Sequence, residues 1–176
     1  QVAGPADYAA KPIPGGPSAV SRLDRDIASL PGVSTVIWME GINDFGAADA
    51  DPKTVIAAYE AGVKHLRAKI PGVRIFAATL TSALHSTPTH GRPEVETKRK
   101  ALNDFLRTSK AFDGVIDFDR AMRDPANPAA LRAEYDSGDH LHPNAAGMQA
   151  MADAVDLEAL LPGLPKRPHP TMSKEP

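Results

Sequence analysis

The segment SGDHLHPNAAG, residues 137–147, places an aspartate three positions before a histidine and a proline directly after that histidine. The imidazole of His142 titrates near neutral pH, as a general base must. The carboxylate of Asp139 can accept a hydrogen bond from one ring nitrogen, which would fix the tautomer and stabilise the imidazolium. Pro143 is typical of the first turn of a helix, so His142 is predicted at a junction of loop and helix. Taken alone, so short a pattern is more often a capped turn beside a surface histidine.

The segment EGIND, residues 40–44, follows a predicted strand and is the second place where side chains could act on a substrate. Asn43 offers a neutral amide, a suitable donor for an oxyanion that develops in acyl transfer. Gly41 lets the backbone turn sharply at that point. Asn43 and Gly41 are therefore candidates for an oxyanion hole, but Asn, Asp and Gly dominate ordinary turns, and taken alone the segment is more often a simple turn.

An acyl-transfer site also needs a nucleophile, and none stands in a recognisable setting. The chain contains no G-x-S-x-G elbow and no cysteine. Ser82 and Ser86 are weak candidates because they follow a predicted strand end, and Ser18 is a third. The nucleophile is therefore left unassigned.

Metal and cofactor sites find little support in the sequence. His140 and His142 are close enough to share a metal ion, and His85 and His90 lie in the loop HSTPTH, but that loop has no paired acid. No G-x-G-x-x-G or phosphate-loop spacing occurs. We predict no metal and no cofactor.

The order of predicted elements is α-β-α-β-α-β-α, which favours a parallel sheet covered by helices on both faces, an α/β/α sandwich. The predicted strands cover residues 33–40, 73–80 and 114–119. Ser18 is expected to cap the first helix, and Asp51 with Pro52 to open the second. Predicted core positions are Trp38 and Met39 in the first strand and Met148, Met151 and Val155 in the last helix.

Composition limits the classes of function. A length of 176 residues fits one domain, predicted over residues 1–161 with an irregular arm at 1–17 and a Pro-rich tail at 162–176. A formal net charge of -2 gives no general attraction to nucleic acid or anionic membranes. No apolar run approaches the ~20 residues of a membrane span. The composition therefore favours neither a nucleic acid nor a membrane as partner.

Taken together, the two segments resemble the GDSL/SGNH hydrolase family. The resemblance rests on G-x-N-D after a strand and D-x-x-H-P about a hundred residues later. It extends to the local sequences GPSAVSRLDRD, VIWMEGINDFG and YDSGDHLHPNAAG, which are similar to those of secreted bacterial lipase and esterase-like members. It covers residues from about 15 to 157.

The resemblance implies a three-layer, flavodoxin-like α/β/α sandwich that cleaves short-acyl carboxylic esters without a metal. It implies His142 as base, Asp139 as the residue that orients it, and Asn43 as an oxyanion donor. It also favours a secreted or periplasmic bacterial protein.

The chain departs from the family at one point, since the G-D-S segment with the nucleophilic serine and the first strands are absent. Without that serine strand, the strand at 33–40 is expected to leave an apolar edge unpaired. Three explanations stay open: a complementing segment or second copy that pairs with the edge, a truncated chain, or a serine of this chain. A non-catalytic binding or assembly module on the same fold is the alternative function.

Overall fold

Three parallel strands form the centre of the molecule. The structure is a computed structural model that describes Val2 and residues 16–162, so most of the predicted arm and tail lies outside the described residues. Strands β1 (Thr35–Trp38), β2 (Arg74–Ala78) and β3 (Gly114–Ile116) pair in the order β1-β2-β3. The predicted parallel sheet is confirmed.

Helices connect and cover the strands. They are α1 (Ala19–Leu23, continued by a π-helical turn over Asp24–Ala28), α2 (Ile42–Gly46), α3 (Pro52–Lys69), α4 (Pro93–Thr108), α5 (Phe118–Met122), α6 (Ala145–Asp153) and α7 (Leu157–Leu160). The sequence predicted four of these. Of the three short ones, α2 lies in a segment expected to be a loop, and α5 begins within the strand predicted over 114–119, which was wrong beyond Ile116. Helix α7 was not predicted separately from the last helix. Within the described part of the chain, no helix has both the length and the apolar character needed to cross a membrane.

The helix starts follow the predicted capping residues. The Ser18 hydroxyl accepts a hydrogen bond from the backbone N–H of Ser21 at 3.4 Å. Asp51 accepts one from Lys53 at 2.8 Å, and Pro52 opens α3. Each cap satisfies a backbone donor that the first helical turn leaves unpaired.

Alternate side chains of β2 point into two separate cores, as expected of a sheet covered on both faces. Ile75 and Ala77 belong to the larger core, which α3 and α4 cover. Phe76 and Ala78 belong to a smaller cluster to which the C-terminal helices contribute. The sheet is therefore the middle layer of an α/β/α sandwich.

Two predicted core positions were wrong. Met148 is 57 % exposed because α6 approaches its neighbours through Gly147, where an added Cβ would lie 2.7 Å from the carbonyl oxygen of Tyr135. Met39 is 41 % exposed because it directly follows the last residue of β1, and β1 is an edge strand of the described sheet. Trp38, by contrast, is buried, and Met151 and Val155 are partly buried against the smaller cluster.

The edge of β1 borders an open groove. A cavity of about 170 Å³ lies between α1 and β1, and its lining includes Leu23, Trp38 and Glu40. Ile37, in the same strand, is 46 % exposed. Among the described residues, β1 has a hydrogen-bonded strand neighbour on one side alone.

Candidate active site

The loop before α6 brings Asp139 and His142 together. Nδ1 of His142 lies 2.6 Å from Oδ2 of Asp139. The His142 side chain is 71 % exposed, so the rest of its ring faces solvent. Asn144 accepts a hydrogen bond from Gly147 at 3.0 Å as the N-cap of α6, which places His142 two residues before that cap. The contact predicted between this aspartate and this histidine is therefore present.

Asp139 is held by more than the imidazole. Its Oδ1 accepts the backbone N–H groups of Leu141 at 2.9 Å and His142 at 2.8 Å, and the hydroxyl of Ser137 at 3.0 Å. The hydrogen bond from the His142 ring, followed by these backbone donors, holds the pKa of Asp139 well below its usual range. The carboxylate is thus ionised and fixed in orientation, as a residue that steadies an imidazolium must be.

A second aspartate–histidine pair shapes the same loop. Nδ1 of His140 lies 2.5 Å from Oδ2 of Asp136, whose side chain is 9 % exposed. Burial alone would raise the pKa of Asp136, but hydrogen bonds from the backbone of Gly138 and from His140 outweigh it and lower the pKa. His140 has a φ of 60°, a conformation that is uncommon outside glycine. This pair, in which the carboxylate is largely buried and the His140 ring is 56 % exposed, therefore holds a strained turn beside the pair of Asp139 and His142.

Asn43 lies in the first turn of α2, next to the carboxyl end of β1. Gly41, the N-cap of α2, has a φ of 133°, and a Cβ there would lie 2.9 Å from Cδ2 of Leu102 and 3.2 Å from Cδ1 of Leu80. Only glycine suits both the dihedral and the packing. Asn43 is exposed while Gly41 is buried. A role for Gly41 in an oxyanion hole stays a prediction, whereas its role in the turn follows from this geometry.

His90, from the loop after β2, contacts Asn43. Its Nε2 lies 2.9 Å from Oδ1 of Asn43. Burial, and then the charges of His142 and Arg92, lower the pKa of His90. Asn43, His90 and His142 thus come from the loops after β1, β2 and β3, at one edge of the sheet.

A buried charge cluster lies where β2 ends. Arg99, whose side chain is 1 % exposed, binds Glu96 at 2.7 Å and Asp119 at 2.7 Å, and donates to the carbonyl oxygen of Leu80 at 2.6 Å. Asn103 donates to that same oxygen and accepts from the N–H of Leu80, both at 2.8 Å. These bonds fix the backbone from which the His90 loop departs.

The three candidate serines differ in what their hydroxyls do. Ser82 is buried, donates to the carbonyl of Ala129 at 2.5 Å and accepts from the N–H of Leu84 at 3.1 Å. Ser18 is buried and caps α1. The Ser86 oxygen is buried without a hydrogen-bond partner among the described residues, in the same loop as His90. Within the described residues, none of the three hydroxyls hydrogen-bonds the His142 ring.

Among the residues that the structure describes, no group of three or more His, Cys, Asp or Glu side chains is arranged to hold a metal ion. Of the histidines considered as ligands, His140 and His142 each pair with an aspartate, and His90 contacts Asn43.

Sequence reasoning missed two parts of this site. His90 was considered only as a metal ligand, although its place after a strand that ends at the same sheet edge was a usable signal. The Arg99 cluster was also missed: Glu96 lies three residues before Arg99 on α4, but no local pattern shows that Asp119 of α5 joins them.

Solved structures of known proteins share this fold. A GDSL-like lipase from Bacteroides thetaiotaomicron superposes with a TM-score of 0.64 at 16 % identity, over 77 % of this chain and 65 % of that one. A carbohydrate esterase family 3 protein from Talaromyces cellulolyticus gives 0.54 at 21 % identity, over 77 % and 63 %. An acetyl esterase mutant with acetate ion gives 0.53 at 21 % identity, with the same coverage of 77 % and 63 %.

This chain therefore spans less than two thirds of the length of each of these structures. A search of curated protein sequences found no match. The family model for GDSL-like lipases and acylhydrolases, however, matches residues 4–150, which is most of the chain. The chain therefore belongs to the GDSL-like lipase/acylhydrolase family.

Proposed function

We propose that this domain hydrolyses carboxylic esters of short acyl groups through a serine acyl-enzyme. The observation that carries the proposal is the 2.6 Å contact between His142 and Asp139, in a loop at the same edge of the sheet as His90 and Asn43. Membership of the GDSL-like lipase/acylhydrolase family and the esterases among its structural neighbours support the same class of reaction.

In the proposed reaction, the serine oxygen attacks the acyl carbon and Nε2 of His142 takes the serine proton. Asp139 accepts the Nδ1–H of His142, so the remaining nitrogen is the one free to act as base. The Asn43 amide donates to the oxyanion. His142 then returns its proton to the departing alcohol. In the second half of the reaction, water attacks the acyl group, His142 takes a proton from the water, and this proton returns to the serine oxygen as the carboxylic acid leaves.

The origin of the serine is the open part of the proposal. Ser82 and Ser18 are held by structural hydrogen bonds, whereas the Ser86 hydroxyl has none among the described residues. The open edge of β1 offers another source, because an added strand would pair there and end near Asn43. A complementing segment or a second copy of the chain would supply that strand.

A binding or assembly module is the second candidate function. The observation in its favour is the 71 % exposure of the His142 side chain, whose ring has no serine bonded to it within the described residues. Such a module would keep the cleft and bind an ester or acyl group without cleaving it.

Hydrolysis of p-nitrophenyl acetate separates the two candidates. We expect His142→Ala to lower kcat/KM by at least about 10³-fold, because loss of a triad member removes the base. His65→Ala is the matched control, since His65 bonds Asp24 at 2.7 Å in another exposed pair, on α3. Equal rates for both variants and the unchanged protein would contradict the esterase proposal.

Labelling with a fluorophosphonate, followed by peptide mapping, identifies the nucleophile. A label on one serine that disappears in His142→Ala supports the acyl-enzyme route, since the base activates the serine. Absence of both label and hydrolysis supports the binding module.

A further inference from the structure

We infer that His90 is a positioning residue that sets the orientation of the Asn43 amide. This deepens the proposed function and rests on it. The Oδ1 atom of Asn43 lies 2.9 Å from Nε2 of His90. A carbonyl oxygen only accepts, so Nε2 must carry the ring proton and donate. The NH₂ group then lies at the other end of the amide, where an oxyanion needs a donor.

The other ring nitrogen has partners that fit this tautomer. Nδ1 of His90 lies 3.0 Å from the Thr89 hydroxyl and 3.2 Å from the Thr87 hydroxyl. The two hydroxyls lie 3.0 Å apart. The backbone N–H of His90 donates to the hydroxyl of Thr87 at 3.3 Å. With the proton on Nε2, these contacts can form one chain of donors from the His90 N–H through Thr87 and Thr89 to Nδ1, and from Nε2–H to Asn43.

The opposite tautomer would reverse the amide. With the proton on Nδ1, Nε2 could only accept, and Asn43 would have to turn its NH₂ group toward His90. The cleft would then face a carbonyl oxygen, which repels an oxyanion. The His90 proton thus determines whether Asn43 can serve the reaction.

Two close approaches hold the His90 ring in place. A Cβ on Gly46 would lie 2.3 Å from Cδ2 of His90, so the ring packs directly on the backbone of α2. A Cβ on Gly91 would lie 2.5 Å from the backbone nitrogen of Ser86, and the N–H of Gly91 donates to the carbonyl of Thr87 at 2.8 Å. The loop is therefore folded tightly on itself, with its imidazole against the helix that carries Asn43.

The state of the ring suits this role. Burial first, and then the positive charges of His142 and Arg92, lower the pKa of His90, so the ring is neutral at pH 7.5. It therefore keeps one donor and one acceptor while His142 gains and loses its proton. A charged His90 would have no acceptor for the threonine hydroxyls.

Nitrogen-15 NMR of the histidine rings at pH 7.5 tests the inference without any need for catalysis. The expected result is the Nε2–H tautomer for His90, with a shift of its resonances in Asn43→Ala that His65 does not show. The Nδ1–H tautomer, or a doubly protonated ring at that pH, would overturn the inference. Neither result depends on whether the chain cleaves an ester.

A pair of variants tests the consequence for the reaction. Gln at position 90 keeps an N–H donor near the position of Nε2, and Met has a similar shape without one. We expect His90→Met to lower kcat by about 10-fold to 10²-fold with little change in KM, since a misdirected oxyanion donor loses part of its value. His90→Gln should recover most of that loss.

The double variant gives the sharpest result. If His90 acts through Asn43, His90→Met should cost nothing further in the Asn43→Ala background. Equal losses in both backgrounds, or equal rates for the Gln and Met variants, would count against the inference. A protein with no hydrolysis at all would contradict the proposed function instead, and the tautomer would then decide the role of His90.

Discussion

The two charged regions at the carboxyl edge of the sheet are built in opposite ways. In the Arg99 cluster, the guanidinium is 1 % exposed and has two carboxylates and a carbonyl oxygen as partners. In the loop before α6, the His142 side chain is 71 % exposed, and its ring has Asp139 alone among the described residues. The buried charges are fully paired, while the exposed imidazole keeps one nitrogen open.

Because of this difference, we expect the Arg99 cluster to affect the stability of the fold and the His142 loop to affect the reaction. Desolvated charges that lose a partner cost several kcal/mol, so the cluster must remain intact for β2 and α4 to hold their positions. A base needs a nitrogen in reach of its substrate, so the His142 ring must stay accessible. Substitutions in the Arg99 cluster should therefore change the free energy of unfolding, and substitutions in the loop before α6 should change kcat.

The largest effect is expected for Asp139→Asn. An amide cannot stabilise the imidazolium and favours the wrong tautomer, so kcat should fall by about 10³-fold to 10⁴-fold. The urea midpoint, followed by the fluorescence of Trp38, the single tryptophan, should change little because the pair is exposed. Asp24→Asn, in the exposed pair with His65, is the matched control and should leave kcat unchanged. A large loss of stability with unchanged kcat would show that the exposed pair serves the fold and not the reaction.

Arg99→Met should have the opposite profile. The methionine keeps much of the aliphatic volume but leaves Glu96 and Asp119 buried without their main partner. Asp119 keeps Arg107 at 2.6 Å, so we expect a loss of about 3 kcal/mol, at the lower end for a broken buried pair. Urea unfolding measures it. Lys100→Met is the control, because Lys100 is 54 % exposed and bonds Glu96 at 3.4 Å, and it should cost less than about 1 kcal/mol.

The sequence carried most of the information on the exposed region and little on the buried one. The aspartate–histidine contact is local, since three residues and a following helix start are enough to form it. The helix caps were predictable for the same reason, because Ser18 and Asp51 bond residues two or three positions away. The parallel sheet was predictable from the alternation of strands and helices.

The rest depends on tertiary contacts that no short pattern encodes. Asn43 and His90 are 47 positions apart, and Arg99 meets Asp119 across 20 positions. Met148 seemed a core residue by spacing alone, but the close approach of Gly147 decides which side of α6 is covered. Met39, at the end of the first predicted strand, was wrongly predicted to be buried, because the burial of Met39 depends on what pairs with β1.

Gly41 links the two regions, since it precedes Asn43 and packs against Leu102 of α4. Gly41→Ala should cost about 2 kcal/mol or more, from a φ of 133° and from a Cβ 2.9 Å from Leu102. Gly72→Ala is the control for strain alone: its φ is 81°, nothing lies within 4 Å of its Cβ position, and about 1 kcal/mol is expected. Urea unfolding and kcat should be measured together. If the two variants lose equal stability, packing beneath Asn43 contributes nothing.

The smallest expected effect is the contribution of Asp117 to the free energy of unfolding, which should be lost at acidic pH. Burial would raise the pKa of Asp117, but hydrogen bonds from Arg107 and from the Thr79 hydroxyl outweigh it and lower the pKa to about 2. An unfolded aspartate titrates near ~3.9, so this carboxylate stabilises the fold above that pH and loses its contribution as the pH falls toward 2. Asp117→Asn lacks the titrating group and should be less stable than the unchanged protein by about 1–2 kcal/mol at pH 6.

The gap between the two proteins should close as the pH falls from about 5 to about 2, because only the unchanged protein then gains a proton on unfolding. Urea unfolding across that range measures it. A gap that stays constant with pH would mean that Asp117 acts through its hydrogen bonds alone and not through its charge. The buried region would then not depend on ionised carboxylates for its stability, which is the property expected to distinguish it from the exposed pair.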